Sequence, residues 1–330
     1  MMIGTIASHS ALQILRGAKD EGFETLLISD RERRGFYERF KVADELIEIG
    51  NFSDILGEDI QEKLIEKNVI LIPHGSFVEY VGAKEILNLE VPIFGNKRVL
   101  EWESDRRKSF EWFERAKVKT PEEFRDPGRI DRRTIVKYGG AGGGRGYKLV
   151  KSEKEFVEKI GNFDSKRMFL QEYIIGTRFY PSFFYSPLTG ENELLGMDIR
   201  YESNVDGLSR LPANNGSIEP SYVVTGNLPV VMRESLLPEV YTIADRLIET
   251  SRDLFPPGLT GPYCLEMVCT EDLNLYLFEI SARIVAGTNV WVPAAPYAYF
   301  RHGEPMYMGR RIAREIKNAE RENRIAEIMS

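Results

Sequence analysis

The chain has 330 residues, 42% of them hydrophobic, enough to bury a sizeable core and to predict two or three packed subdomains. A net charge of −7 and a pI near 5.4 argue against broad attraction to nucleic acid or to anionic membranes, and leave room only for local basic pockets. No run approaches the ~18 consecutive apolar residues of a membrane span, and the first residues enter a strand-like pattern without a basic leader, so the expected location is the cytoplasm.

Ile3 to Ala7 is a short apolar run, Ala11 to Glu21 has helical periodicity ending at Gly22, and Glu24 to Ser29 is again strand-like, so the chain opens as a βαβ unit. The turn Ser8-His9-Ser10 then falls at a strand's carboxyl end, where ligands bind in open parallel sheets. Val69 to Pro73 predicts a buried strand with a second such turn, His74-Gly75-Ser76-Phe77, beside the first. Val91 to Gly95 is the expected last strand of this unit, and Arg98 to Lys117 a charged connector helix. From Thr134 the pattern becomes strand, glycine loop, strand, followed by a helix capped by Ser152 with Glu155. Strands are expected at Met168 to Tyr173, Phe179 to Tyr185 and Glu193 to Tyr201, and a helix at Glu234 to Asp253. Tyr263 to Val268 and Leu275 to Ile280 read as a hairpin of central strands, and a last helix starts near Gly309. Cys264 and Cys269 match neither a redox pair nor a zinc knuckle and are read as reduced core residues.

The strongest local signal is Lys137 followed by Gly139, Gly140, Gly142, Gly143, Gly144 and Gly146. Glycines free backbone amides to wrap phosphate oxygens, and the lysine adds a point charge. The letters satisfy neither the P-loop nor the dinucleotide fingerprint, and the bland alternative is a flexible hairpin. Glu266 and Glu279 lie on two expected neighbouring strands that are otherwise apolar, where carboxylates need a cation; magnesium suits hard oxygen donors, while solvent-facing positions remain open by alternation. Arg283, just past the second strand, could clamp a phosphoryl group or form a surface ion pair. His9 and His74 fall in the two ligand-edge turns, and neither HExxH nor G-x-S-x-G is present.

Taken together, ASHSALQILRGAKDEGFETL, GSFVEYVG, VPIFGNKRVLEWESDR, the IVK-plus-glycine loop, QEYIIG, RYESNVD, TGNLPVVMRESLL and EISARIVAGTN make the chain resemble, nearly end to end, the archaeal formate-dependent FAICAR synthetases, the PurP family of ATP-grasp ligases. The resemblance implies a mixed α/β and α+β architecture. A Rossmann-like parallel-sheet domain over residues 1–96 would precede an ATP-grasp region over 97–330, with a connector to 133, a nucleotide lid over 134–175 and a catalytic subdomain from 176. It implies ATP as co-substrate with Mg²⁺ or Mn²⁺, formate and AICAR as the other substrates, and a homo-oligomer, trimeric or hexameric. By the same likeness His9, Ser10, Ser76 and Asn227 contact the ribonucleotide, and Arg200 and Arg283 face its carboxamide, formate or phosphoryl groups. Lys137 and the glycine loop hold the ATP phosphates, Gln171, Glu172, Tyr173 and Ile174 form the adenine hinge, Glu202 contacts the nucleotide, and Glu266 with Glu279 binds metal.

Two positions depart from the family pattern: Gly142 stands where a lysine is expected in the loop, and His74 where a smaller hydroxyl residue precedes Gly75. The first removes a charge from the lid, and the second is expected to bring an imidazole beside the substrate edge. A ligase for another carboxylate or amine, or a non-catalytic nucleotide-binding paralogue, are the alternatives these departures leave.

Overall fold

In the computed structural model, which describes residues 1–138, 146–208, 210–211, 218 and 221–330, the apolar runs at the start of the chain form a four-stranded parallel sheet. Its strands are β1 (Met2–Ile6), β2 (Glu24–Asp30), β3 (Glu45–Ile49) and β4 (Val69–Leu71), in the order β3-β2-β1-β4. β1 and β4 are neighbours, so the turns after them sit side by side at one edge, as the two polar turns predicted. The run Val91 to Gly95 is not a full strand. Pro92 has no N–H to give, and only Ile93 bridges to Leu71. On its other side Phe94 bridges to Met329, and Ile93 and Ser330 exchange N–H···O bonds of 3.0 Å, so the chain's last residues edge this unit.

The expected connector helix is two helices, Lys97–Ser104 and Arg106–Arg115. Asp105 between them is extended, and its carboxylate accepts from the N–H groups of Arg107 (2.9 Å) and Lys108 (3.3 Å), capping the second helix. Trp112, fully buried, donates its indole N–H to the Leu247 carbonyl in helix Leu237–Leu254. That contact joins the connector to the core beneath the next sheet.

A small antiparallel sheet follows, formed by β5 (Glu123–Phe124), β6 (Thr134–Tyr138), β7 (Lys148–Val150) and β8 (Met168–Glu172), in the order β5-β8-β6-β7. It has its own core of Phe124, Ile130, Val136, Val150, Phe156 and Leu170. Ser152 caps helix Glu153–Lys159, but Glu155 returns its carboxylate to the Lys151 N–H rather than to that of Ser152.

The third sheet is antiparallel, with strands β9 (Thr177–Ser186), β10 (Glu191–Glu202), β11 (Val224–Val230), β12 (Gly261–Cys269) and β13 (Leu275–Ser281) in the order β11-β10-β9-β12-β13. The β12–β13 hairpin is present, but β13 is an edge strand rather than a central one, its Leu277 N–H bonded to the Lys119 carbonyl. Cys264 and Cys269 are buried free thiols. Among the described residues no helix is long and apolar enough to cross a membrane.

Helix Met308–Arg321 packs back on helix Ala11–Asp20 of the first unit. The helices approach so closely that a Cβ on Gly17 would stand 2.2 Å from the Arg310 nitrogen, and one on Gly309 would stand 2.1 Å from the Gln13 carbonyl oxygen. Both obstacles are backbone and cannot turn aside, so Gly309→Ala is expected to destabilise the fold by about 1–3 kcal/mol in urea titrations, as overpacking does.

Candidate active site

The strand sequence Met-Asp-Ile-Arg-Tyr-Glu alternates, so Asp198, Arg200 and Glu202 of β10 share one sheet face. Alongside them lie Arg178 and Tyr180 of β9, Asn227 of β11, Glu266 of β12 and Glu279 of β13. Most of this face looks into a cavity of about 430 Å³, walled opposite by Ile135, Lys137 and Gln171 of the small sheet and closed at one end by His9, Gly75 and Ser76. All three sheets therefore contribute to one site.

Glu266 and Glu279 stand directly opposite each other in the β12–β13 register. Two carboxylates so close to one another and to an apolar interior require cations. Arg200 supplies one as a fork, its two Nη groups 2.7 and 2.9 Å from the oxygens of Glu266, while its guanidinium lies 3.9 Å from the centre of the Tyr180 ring. Ser281 donates a further bond of 3.0 Å to Glu266. Arg106, placed by the break between the connector helices, bonds Glu279 at 3.0 Å and the Tyr147 hydroxyl at 2.6 Å. Burial works against ionisation of Glu279, but Arg106 and then Lys137 outweigh it and hold the carboxyl well below its usual range. Lys137 is 4% exposed, with its Nζ 5.3 Å from the Phe278 ring centre and no ion-pair partner among the described residues. Burial, with Arg106 nearby, brings its pKa down to about 8 against the pull of Glu279 and Glu266. Arg283 is held through Nε by the buried Glu103 at 3.0 Å, leaving the outer guanidinium edge toward the cavity.

At the closed end, His74 has no exposed surface. Its Nε2 lies 3.1 Å from the Ile6 carbonyl, which can only accept, and its Nδ1 accepts from the Ser76 N–H at 3.2 Å, so the ring is the neutral Nε2–H tautomer. Burial first, and Arg283 next, keep it uncharged, with a pKa lowered to about 3. His9 stacks on it with ring centres 5.5 Å apart and planes 3° apart, and is likewise held neutral by burial and by His74. The expectation that the His74 imidazole faces the substrate edge is corrected: it lies one layer behind, carrying His9 and tying the end of β1 to the next loop. Residue 74 also bridges in parallel to Ile284, which brings Gly75 against Arg283. A Cβ on Gly75 would stand 3.1 Å from His9 Nε2 and 3.4 Å from Arg283 Cζ.

Of the residues singled out in the sequence, His9, Ser76, Lys137, Gln171, Glu172, Tyr173, Ile174, Arg200, Glu202, Asn227, Glu266, Glu279 and Arg283 line the cavity. Ser10 does not: it is fully buried, with its hydroxyl 3.0 Å from His9 Nδ1, and acts through that ring. Gly139, Gly140, Gly142, Gly143 and Gly144 lie outside the described residues. Gln171 is 1% exposed and its amide Nε2 has no partner among the described residues, a donor turned to a ligand-sized space. Glu202 is held by both Nη groups of Arg178, at 2.5 and 2.7 Å.

Sequence reasoning missed Arg106, Glu103, Arg178, Tyr180 and Asp198. The polar alternation through 198, 200 and 202 and the polar residues 178 and 180 were signals for three of them. Arg106 and Glu103 sit in a charged helix whose face nothing local reveals.

A parallel sheet whose turns edge the cavity, a small β-subdomain with a buried lysine, and an antiparallel sheet presenting paired glutamates over that cavity define an ATP-dependent ligase of the ATP-grasp class. The comparisons agree. A solved structure of the biotin carboxylase domain of 2-oxoglutarate carboxylase from Hydrogenobacter thermophilus, in complex with MgADP, shares the fold, with a TM-score of 0.66 at 18% identity over 94% of this chain and 68% of that one. The crystal structure of an IMP biosynthesis protein PurP from Thermococcus kodakaraensis matches with a TM-score of 0.83 at 33% identity, covering all of both chains. The 5-formaminoimidazole-4-carboxamide-1-(beta)-D-ribofuranosyl 5'-monophosphate synthetase of Methanocaldococcus jannaschii is 48% identical over 99% of this chain and 94% of its own. Two family models match, a protein of unknown function (DUF1246) over residues 3–124 and a domain of unknown function (DUF1297) over 149–330. The chain belongs to the PurP family of 5-formaminoimidazole-4-carboxamide ribonucleotide synthetases.

The Lys137 environment carries a signed pH prediction. Below about 8 the amine is charged and attracts a polyphosphate; above it the free protein loses that charge while the nucleotide complex works to retain it. The dissociation constant for ATP should therefore climb toward tenfold per pH unit above about 8, and Lys137→Met should flatten that slope, both read by calorimetric titration.

Proposed function

We propose that this protein uses ATP to join formate to the 5-amino group of AICAR, giving FAICAR, ADP and phosphate, as an enzyme of purine nucleotide synthesis in the cytoplasm. One observation carries the reading: the lysine and paired glutamates suited to a nucleotide, and the His9–Ser76 edge suited to a ribonucleotide, open into the same cavity with Arg283 between them.

The chemistry needs that proximity. A formate oxygen attacks the γ-phosphorus as ADP leaves, forming formyl phosphate; the substrate amine then attacks its carbonyl carbon, phosphate leaves, and the nitrogen gives up a proton. Lys137 offsets phosphate charge, and the free edge of Arg283 faces the place where the acyl phosphate would form. Gln171 offers its unpartnered N–H to the adenine ring, between walls that include Ile135, Val268 and Phe278. His9, neutral, can accept a hydrogen bond from the ribonucleotide without repelling Arg283. Formyl phosphate must be kept from water, so the reaction has to run in a covered site.

Glu266 and Glu279 are hard-oxygen donors in register on the cavity face, and Mg²⁺ typically takes one or two carboxylates together with nucleotide phosphates, so these residues fit the ion. Bound there, Mg²⁺ would neutralise phosphate charge, and Mn²⁺ would fit the same donors. Homo-oligomerisation as a trimer or hexamer belongs to the same reading; the aromatic side chains of Tyr299 and Phe300, 49% and 81% exposed on one short helix, support a face that another copy covers.

Purified protein with ATP and Mg²⁺ should release phosphate only when formate and AICAR are both present, with FAICAR as product; release with some other carboxylate or amine alone would overturn the assignment. Glu279→Gln should lower that rate at least about 100-fold while melting close to the parent, because the glutamine oxygen can still accept from Arg106. Full activity in this variant would remove Glu279 from the metal site.

A further inference from the structure

Asp198 lies on the same β10 face as Arg200 and is 1% exposed. Arg200 pairs with Asn227 in the β10–β11 register, and Asp198 pairs with Pro229, so the Asp198 and Asn227 side chains meet on the diagonal of one sheet face. The Asn227 amide nitrogen donates to Asp198 Oδ2 at 2.7 Å. The other oxygen, Oδ1, is buried with no partner among the described residues, so the carboxylate's side-chain bonding there goes to that amide. Gly287 roofs it, since a Cβ on residue 287 would stand 2.3 Å from Asp198 Oδ1. Asn227 and Gly287 line the cavity and Asp198 does not.

Burial raises the Asp198 pKa to about 6, so at neutral pH the carboxylate is mainly ionised and can only accept, and the bond then fixes which end of the asparagine faces which way. With Nδ2 turned to the floor, the carbonyl Oδ1 has no donor among the described residues and is left for the substrate. Without Asp198 the amide could turn over and offer a donor instead. We propose that Asp198 is a positioning residue that makes Asn227 an obligate hydrogen-bond acceptor, so that this corner of the site selects a substrate bearing an N–H₂ group and rejects one presenting a carboxylate or carbonyl there. The inference deepens the proposed function and rests on AICAR being the ribonucleotide, whose amine and carboxamide are such donors. A site that hydrogen-bonds a substrate N–H discriminates strongly, because the wrong group leaves a buried polar atom unpaired.

The test compares Asp198→Ala with Asp198→Asn. The asparagine keeps a carbonyl oxygen that can hold Asn227 in place; alanine does not. Asp198→Ala is expected to raise the KM for AICAR about 10- to 100-fold, with the KM values for ATP and formate within about twofold of the parent, and Asp198→Asn to restore most of the loss. Equal rises for all three substrates, or an Asp198→Asn variant as impaired as the alanine, would overturn the proposal. Should the parent protein not turn over AICAR, the proposed function fails on its own account, and the orientation is read directly. In ¹⁵N-asparagine-labelled protein, Asp198→Ala must then remove the slow exchange of an Asn227 Nδ2 proton that Asp198→Asn preserves; an unchanged Asn227 signal in the alanine variant would sink the idea.

Discussion

The arrangement around the cavity depends on holding two carboxylates side by side. Glu266 and Glu279 face each other across an antiparallel pair, where like charges repel and burial adds to the cost. Arg200 from the same sheet, Arg106 from the connector and Lys137 from the small sheet offset their charge, so the need for counter-charge reaches into three parts of the chain. The break at Asp105 gains its meaning here. A continuous helix would carry Arg106 on another course, and capping at Asp105 starts a new helix with that arginine in its first turn.

The second organising contact is polar but uncharged. His74 accepts one backbone N–H and donates to one backbone carbonyl, and so joins the end of β1 to the loop after β4 through a ring that burial keeps neutral. Its bridge to Ile284 then sets the first unit against the strand end that carries Arg283. The departure expected at this position thus falls in the support of the site, where the His74 imidazole stays outside the cavity lining. The presence of both glutamates on the cavity face fits a working ligase rather than a nucleotide-binding relic.

Local patterns made much of this legible. The βαβ opening, the two adjacent polar turns and the β12–β13 hairpin follow from periods of 3.6 and 2 and from turn residues, and their side chains line the cavity. What escaped was non-local. The edge strand Glu45–Ile49 alternates weakly, and Val91 to Gly95 has a strand's composition but a proline where pairing would need an N–H. Ser10 is expected to contact the ribonucleotide at the ligand edge, because nothing in the sequence says that it is buried behind His9. Arg106, Glu103 and Arg178 become visible only when their carboxylate or guanidinium partners, from 24 to 180 positions away, are in place.

The close crossing of helices Ala11–Asp20 and Met308–Arg321 has a consequence for how the molecule comes into being. The Gly309 N–H bonds Gln13 Oε1, 296 positions earlier in the chain. A ribosome adds about 5–20 residues per second, so the receiving face of the first helix waits on the order of 15–60 s for its cover after it has emerged. During that interval the parallel sheet is a half-wrapped nascent domain with an apolar flank, the kind of surface that chaperones hold. Completion of the fold is therefore a late docking event.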